Sequence, residues 1–154
     1  GIVEELGEVL TQPATQEGRY GPDGTYTHLL VCSRLGHVMN SVGHDFPRTL
    51  EQQTYNPAGL HPKDLAALNV TAGQLVEIVS EDGAIVAVVE PDENVRSGVV
   101  ALAHCFAAEP DETDVRRFGS NVNRLTSAAH DHDPIAGMPR MTAIPVRLRP
   151  VPPA

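Results

Sequence analysis

An all-β barrel with one or two short helices and long loops is the fold class this sequence predicts. Three observations carry it. Short apolar runs rich in β-branched residues alternate with turn residues. Two of those runs flank Glu81, Asp82 and Gly83, a good hairpin signal. Thirteen Gly and thirteen Pro in 154 residues suit a loop-rich β domain better than a helical bundle.

The elements follow in order. Residues 1–26 are weakly patterned, although Ile2, Val3, Leu6, Val9 and Leu10 fall at the spacing of one short amphipathic helix. Residues 12–24, rich in Gly, Pro and polar side chains, read as linker. Residues 27–33 form a continuous apolar strand. Residues 34–54 are a long polar loop carrying His37, His44 and Arg48; loops this long in compact domains are usually functional or flexible. Residues 61–69 read as a short helix. Pro62 suits its first position, and Leu65, Ala66 and Leu68 give it one apolar face. Residues 74–80 and 84–90 are the hairpin strands. Val99 to Ala103 is another strand, entered through a turn at Arg96, Ser97 and Gly98. Residues 107–117 are acidic and read as a loop or a helical turn. Residues 142–148 form the last strand, stopped from Pro150 onward. The barrel is therefore expected over 27–149, between a weakly structured N-terminal segment (1–26) and a tail (150–154).

Composition sets the limits. A chain of 154 residues makes one domain of ordinary size. It is 41% hydrophobic with 4% aromatics and no Trp, so the core must be aliphatic. The formal net charge of -9 opposes nucleic acid and anionic membranes, and neither is an expected partner. A phosphorylated ligand would need local positive charge, for which Arg34, Arg48, Arg96 and Arg124 are the sources. No apolar run approaches the ~20 residues of a membrane span. The first residues, GIVEELGEVL, carry no secretion signal, so a cytoplasmic location is expected.

Dedicated catalytic and metal motifs are weak. Cys32 and Cys105 form no C-x-x-C pair, which removes zinc and iron–sulfur signatures. Both lie in apolar, strand-like contexts and are expected to be small buried thiols. His130, Asp131, His132 and Asp133 invite a metal reading. Alternate strand residues point to opposite faces, however, and no third ligand follows, so a solvated acidic loop is expected. His104 beside Cys105 would likewise face apart in a strand. No G-x-S-x-G elbow, G-x-G-x-x-G fingerprint or P-loop occurs.

The most informative segment is GSNVNRLTSAAHDHDP, residues 119–134. It crowds together Ser120, Asn121, Asn123, Thr126 and Ser127. Each Asn side chain presents two donor hydrogens and an acceptor. Two of them at i and i+2 after a Gly suit a loop that reads a flat polar heterocycle or a phosphate. Arg124 adds a guanidinium that can pair an anion bidentately. The same residues also make an ordinary polar turn whose Asn side chains cap their own backbone.

GSNVNRLT (119–126), DPIAGMP (133–139) and AIPVRL (143–148) resemble the end of the C-terminal domain of molybdopterin-dependent oxidoreductases. These are the formate dehydrogenase, nitrate reductase and dimethylsulfoxide reductase families, which carry a bis(molybdopterin guanine dinucleotide) cofactor. Further stretches fit in the same order. LLVCSR (29–34) with Gly36, His37, Asn40 and Ser41 is similar to the family's first strand and polar loop. Asn56 and Pro57 before HPKDLAAL (61–68) resemble the approach to its short helix. VTAGQLVEIV (70–79), RSGVV (96–100) and AHCF (103–106) complete the set. The resemblance covers about residues 27–149.

The resemblance implies a double-psi β-barrel, which composition does not distinguish from other small barrels. It implies that Arg34, His37, Asn40 and Ser41 contact the pterin and phosphate portions of the cofactor. His104 matches the family's His before an apolar turn. Asn123, with Arg124 and Thr126 beside it, matches the Asn of N-x-L-T, expected to hydrogen-bond a pterin edge. Rigid loops of this kind position a cofactor that carries the chemistry itself. Two positions depart from the pattern: Cys105 stands where a Gly is common, and Ala136 where Ser or Thr is usual. The family's metal ligand and iron–sulfur cysteines lie in other domains. The implied role is thus a molybdopterin guanine dinucleotide-binding domain of a larger molybdenum or tungsten enzyme, not catalytic alone. Its partners would be the remaining domains or a catalytic subunit. The competing reading is a stand-alone double-psi barrel for interaction or substrate recognition, without pterin, because fold does not imply function.

Overall fold

In the computed structural model, residues 24–44, 46–52, 54–107, 113–127, 129, 132–133 and 135–152 are described. The possible helix near residues 2–10 lies outside them, as do His130, Asp131 and Pro134. The elements run β1 (His28–Ser33), α1 (Pro47–Gln52), β2 (Ala58–Leu60), α2 (Pro62–Leu68), β3 (Leu75–Val79), β4 (Ala84–Pro91), β5 (Val99–Ala103), α3 (Val115–Phe118), a 3₁₀ turn (Val122–Leu125) and β6 (Thr142–Pro150).

The six strands close into a barrel in the order β1-β5-β2-β4-β3-β6. The pairs β1–β5 and β2–β4 are parallel and the other four antiparallel. This is the mainly β, double-psi barrel that the resemblance implies. Closure removes the open edges that would otherwise template aggregation.

Alternation of side chains fills the barrel. Leu30 lies opposite Val100 and Ile144, Leu60 opposite Val100, and Ile78 opposite Ile85 and Leu148. All seven are buried, and with Val76, Val89, Leu102 and Val146 they make an aliphatic core. A slip of one residue in any strand would turn its inward set to solvent, so burial fixes the register. Each fully buried Leu or Val contributes about 1.5–3 kcal/mol.

The helices are short. At α2, Pro62 occupies the first turn, where its missing N–H has no cost, and His61 Nδ1 accepts from Lys63 N at 3.1 Å. Asn69 ends the helix in the left-handed region. α1 falls inside the segment that the sequence reads as loop, and β2 was not anticipated as a strand. α3 is the helical turn left open for residues 107–117.

Strand direction decides what meets what. β1, β3 and β5 run one way and β2, β4 and β6 the other. The connections 34–57, 80–83 and 104–141 therefore open at one end of the barrel. α2 and the turn at Arg96–Gly98 close the opposite end.

Candidate functional site

Parallel pairing places Arg34 and His104 side by side. Ser33 ends β1 opposite Ala103, which ends β5, so the next residue of each strand enters the same space. Arg34 Nη1 donates to Asn40 Oδ1 at 2.5 Å. The His104 ring places Nδ1 3.1 Å from the Ser33 carbonyl and Nε2 3.1 Å from Asn40 Oδ1. His44 Nε2 lies 3.1 Å from the Asn40 carbonyl. Its ring meets Phe106 edge-on, with centroids 4.5 Å apart. Asn40 holds φ 54°, a left-handed conformation that Asn tolerates better than most residues.

A buried seam joins this cluster to the Asn-rich loop. Asn56, 1% exposed, donates through Nδ2 to the carbonyls of Ala103 (2.6 Å) and Ser120 (2.9 Å). Its Oδ1 accepts from Ser120 N at 2.7 Å. Gly119 passes so close that a Cβ there would strike Asn56 Oδ1, and its φ of 77° suits Gly alone. Cys105 (φ 69°) and Ala107 (φ 48°) bracket the buried Phe106 in the left-handed region, where a Cβ is strained.

The two Asn of the loop take different parts. Asn121 caps the 3₁₀ turn: its Oδ1 accepts from Asn123 N at 3.0 Å and its Nδ2 donates to the Ala107 carbonyl at 3.2 Å. The capping reading is therefore correct for Asn121. In a 3₁₀ turn, residues i and i+3 lie on the same side. Val122 and Leu125 accordingly enter the core, leaving Asn123 and Arg124 exposed. Neither of those side chains has a hydrogen bond among the described residues. Thr126 Oγ1 donates to the Asn123 carbonyl at 3.0 Å. The β3–β4 hairpin packs against this turn so closely that a Cβ on Gly83 would meet the Arg124 carbonyl. Asn121, Arg124, Thr113 and Glu77 line an open pocket of about 270 Å³. Glu77 is already paired with Arg149, Nη1 to Oε2 3.4 Å.

Of the residues singled out in the sequence, the structure gathers Arg34, Asn40 and His104 into one hydrogen-bonded cluster. Asn123, Arg124 and Thr126 sit on the 3₁₀ turn at the same end. His37 and Ser41 are exposed on the 34–57 loop at that end, outside the cluster's hydrogen bonds. His44, Phe106 and Asn56 were not assigned a role from sequence. Asn56 carried the one usable signal: an amide directly before Pro57, in an apolar approach to a strand.

The cysteine expectations need correction. Cys32 and Cys105 are only half-buried, and Cys105 lies past the end of β5 in a left-handed bend rather than in a strand. Burial still pushes the Cys32 thiol up to about 11, so it stays neutral near pH 7. Among the described residues, no three His, Cys, Asp or Glu side chains group as a metal site.

Comparison with known proteins supplies the rest. A family model described as "Molydopterin dinucleotide binding domain" matches residues 29–145. No curated protein matches the chain. Among solved structures, acetylene hydratase from Pelobacter acetylenicus superposes with a TM-score of 0.71 at 18% identity, over 98% of this chain. The chain spans 23% of the length of that enzyme. At that identity the likeness speaks for the fold, while the family match favours the pterin reading over a pterin-free barrel. With its model covering both the Arg34 loop and the 3₁₀ turn, this chain belongs to the molybdopterin dinucleotide-binding domain family.

Proposed function

We propose that the chain holds a molybdopterin guanine dinucleotide, carrying molybdenum or tungsten, as one domain of a larger oxidoreductase. The observation that carries this is the convergence of Arg34, Asn40, His104, Asn123 and Arg124 at one end of a rigid barrel.

The donor set fits such a group. Among the described residues Arg34 donates to Asn40 alone, which leaves most of its five N–H donors for an oxyanion. Among the described residues the Asn123 amide and the Arg124 guanidinium have no hydrogen bond, and Arg124 lines an open pocket of about 270 Å³. His37 and Ser41 add exposed polar groups, and Thr126 a half-buried hydroxyl, on the same loops. When bound, the cofactor supplies the metal-centred redox chemistry. The chain's own residues bind phosphate and pterin edges and hold them in one orientation. Asn56 and Gly119 keep the two loops in fixed relation, so the donors are arranged before the ligand arrives. The remaining domains of the enzyme, or a separate catalytic subunit, are the proposed partners and enclose the rest of the cofactor.

The test is metal content. In the purified holoenzyme, Arg34→Ala with Asn123→Ala should lower molybdenum or tungsten occupancy at least about tenfold under dilution, because a hydrogen bond to a charged group contributes ~1.5–3 kcal/mol. Metal content equal to wild type by mass spectrometry would overturn the assignment.

A further inference from the structure

We propose that Met39, Val42, Phe46, Leu50, Ile135 and Met138 form an apolar docking rim at the donor end of the barrel, covered by an apolar protein surface from the rest of the enzyme. The proposal rests on the reading above that the chain is one domain of a larger enzyme.

A single exposed hydrophobic side chain is ordinary on a protein surface; a cluster of them marks a contact. These six are the large hydrophobic side chains exposed among the described residues. All six lie on the connections 34–57 and 104–141, which open at the same end of the barrel. The 80–83 connection, α2 and the strands carry none.

Local structure holds each of them outward. Met39 and Val42 exchange backbone hydrogen bonds of 3.1 and 2.9 Å, which makes a tight hairpin tip with Asn40 and Ser41 at its turn. The Phe46 carbonyl accepts from Thr49 N at 2.8 Å and Leu50 N at 3.0 Å. That turn buries Thr49 and leaves Phe46 and Leu50, four residues apart, on the outside. Asp133 Oδ1 accepts from Ile135 N and Ala136 N, and Asp133 N donates to the Met138 carbonyl at 2.8 Å. Ile135 and Met138 are thereby displayed on a closed turn. Side chains carried on ordered turns lose little further backbone freedom when they dock.

Chemistry and position identify the cover. The phosphates, hydroxyls and amides of a dinucleotide satisfy polar donors but offer little to thioether, aliphatic and phenyl groups. The formal charge of -9 opposes an anionic bilayer. Asn40, a member of the donor cluster, sits between Met39 and Val42, so whatever closes over the cluster also meets the rim. The chain spans 23% of the length of acetylene hydratase, and in an enzyme of that size most of the polypeptide is free to supply the surface. Once covered, the rim excludes water from the donors and strengthens their electrostatic contacts.

The test follows methionine oxidation in the full native enzyme. Met39 is 70% exposed and Met138 65% exposed on the domain itself, while Met141 packs against the core. Dilute hydrogen peroxide is applied to the native enzyme and to the same enzyme unfolded in urea, and the sulfoxide at each Met is read by peptide mass spectrometry. Met39 and Met138 should oxidise at least about fivefold slower in the native enzyme; a smaller difference overturns the rim. The protection should persist in cofactor-free enzyme. Its loss there would make the cofactor the cover and overturn a protein surface. Protection that disappears as a dimer dilutes to single enzyme copies would assign the rim to a second copy and overturn the proposal likewise. Phe46→Asp, at an exposed position outside the core, should raise oxidation of Met138 on the other connection; an unchanged Met138 overturns a shared cover. Metal content does not enter these readouts, so the rim and the cofactor assignment fail separately.

Discussion

Cys105 carries a Cβ at φ 69°, where an L side chain crowds the following carbonyl. The family resemblance expects Gly at this position, and the backbone supplies the reason: the chain must turn left-handed to swing His104 towards Asn40 and send Phe106 into the core. Cys105→Gly should therefore stabilise the chain by about 1 kcal/mol, the strain of one left-handed residue less part of the entropy cost of Gly. A urea midpoint at or below wild type would show that the bend is not strained. The same scale separates Asn121 from Asn123. In sequence they are equivalent amides two residues apart. The 3₁₀ turn makes one a cap and leaves the other exposed, because Val122 and Leu125 must share the buried side.

At the scale of elements, the hairpin, α2 and the outer strands were legible, because each has apolar periodicity or a turn signal of its own. α1 and β2 were not. The α1 sequence PRTLEQ buries only Thr49 and leaves Leu50 exposed, so no apolar stripe marks it. β2 is three residues, AGL, without a β-branched side chain; it is a strand because β4 and β5 pair with it on either side. Asn56, just before β2, ties that pairing to the loop after α3. Asn56→Ala removes three hydrogen bonds and strands the buried Ser120 N–H. The expected loss is about 3 kcal/mol, read by urea unfolding. A loss below about 1 kcal/mol would mean that solvent replaces the amide and the seam is not closed.

At the scale of the whole molecule, the two ends of the barrel do different work. The end opposite the donor cluster is fastened by Asp64, which accepts from Ser97 Oγ at 2.5 Å and Gly98 N at 2.8 Å. His28 lies nearby, buried, with Nε2 3.8 Å from the Asp64 carboxylate. Burial lowers the His28 pKa from its ordinary 6.5, and the Asp64 charge only partly opposes this. A lowered folded value means the unfolded chain binds more protons than the folded one in the window just below 6.5. Stability contributed by neutral His28 is thus complete above that value and falls as the pH drops through it. Urea midpoints at pH 7.5 and 5.5 should differ less in His28→Gln than in wild type. An equal difference in both would remove His28 as the source.

The sequence alone determined the class of fold, the aliphatic core and the segments that carry polar chemistry, since those follow from periodicity, composition and turn residues within short windows. Barrel closure decided the rest. Only strand direction brings the loops after β1, β3 and β5 to one end, and only parallel pairing of β1 with β5 sets Arg34 beside His104, residues 70 positions apart in the chain. Local sequence encodes which side chains turn inward. It does not encode which distant strands become neighbours, because that choice is made by burying all the inward faces at once.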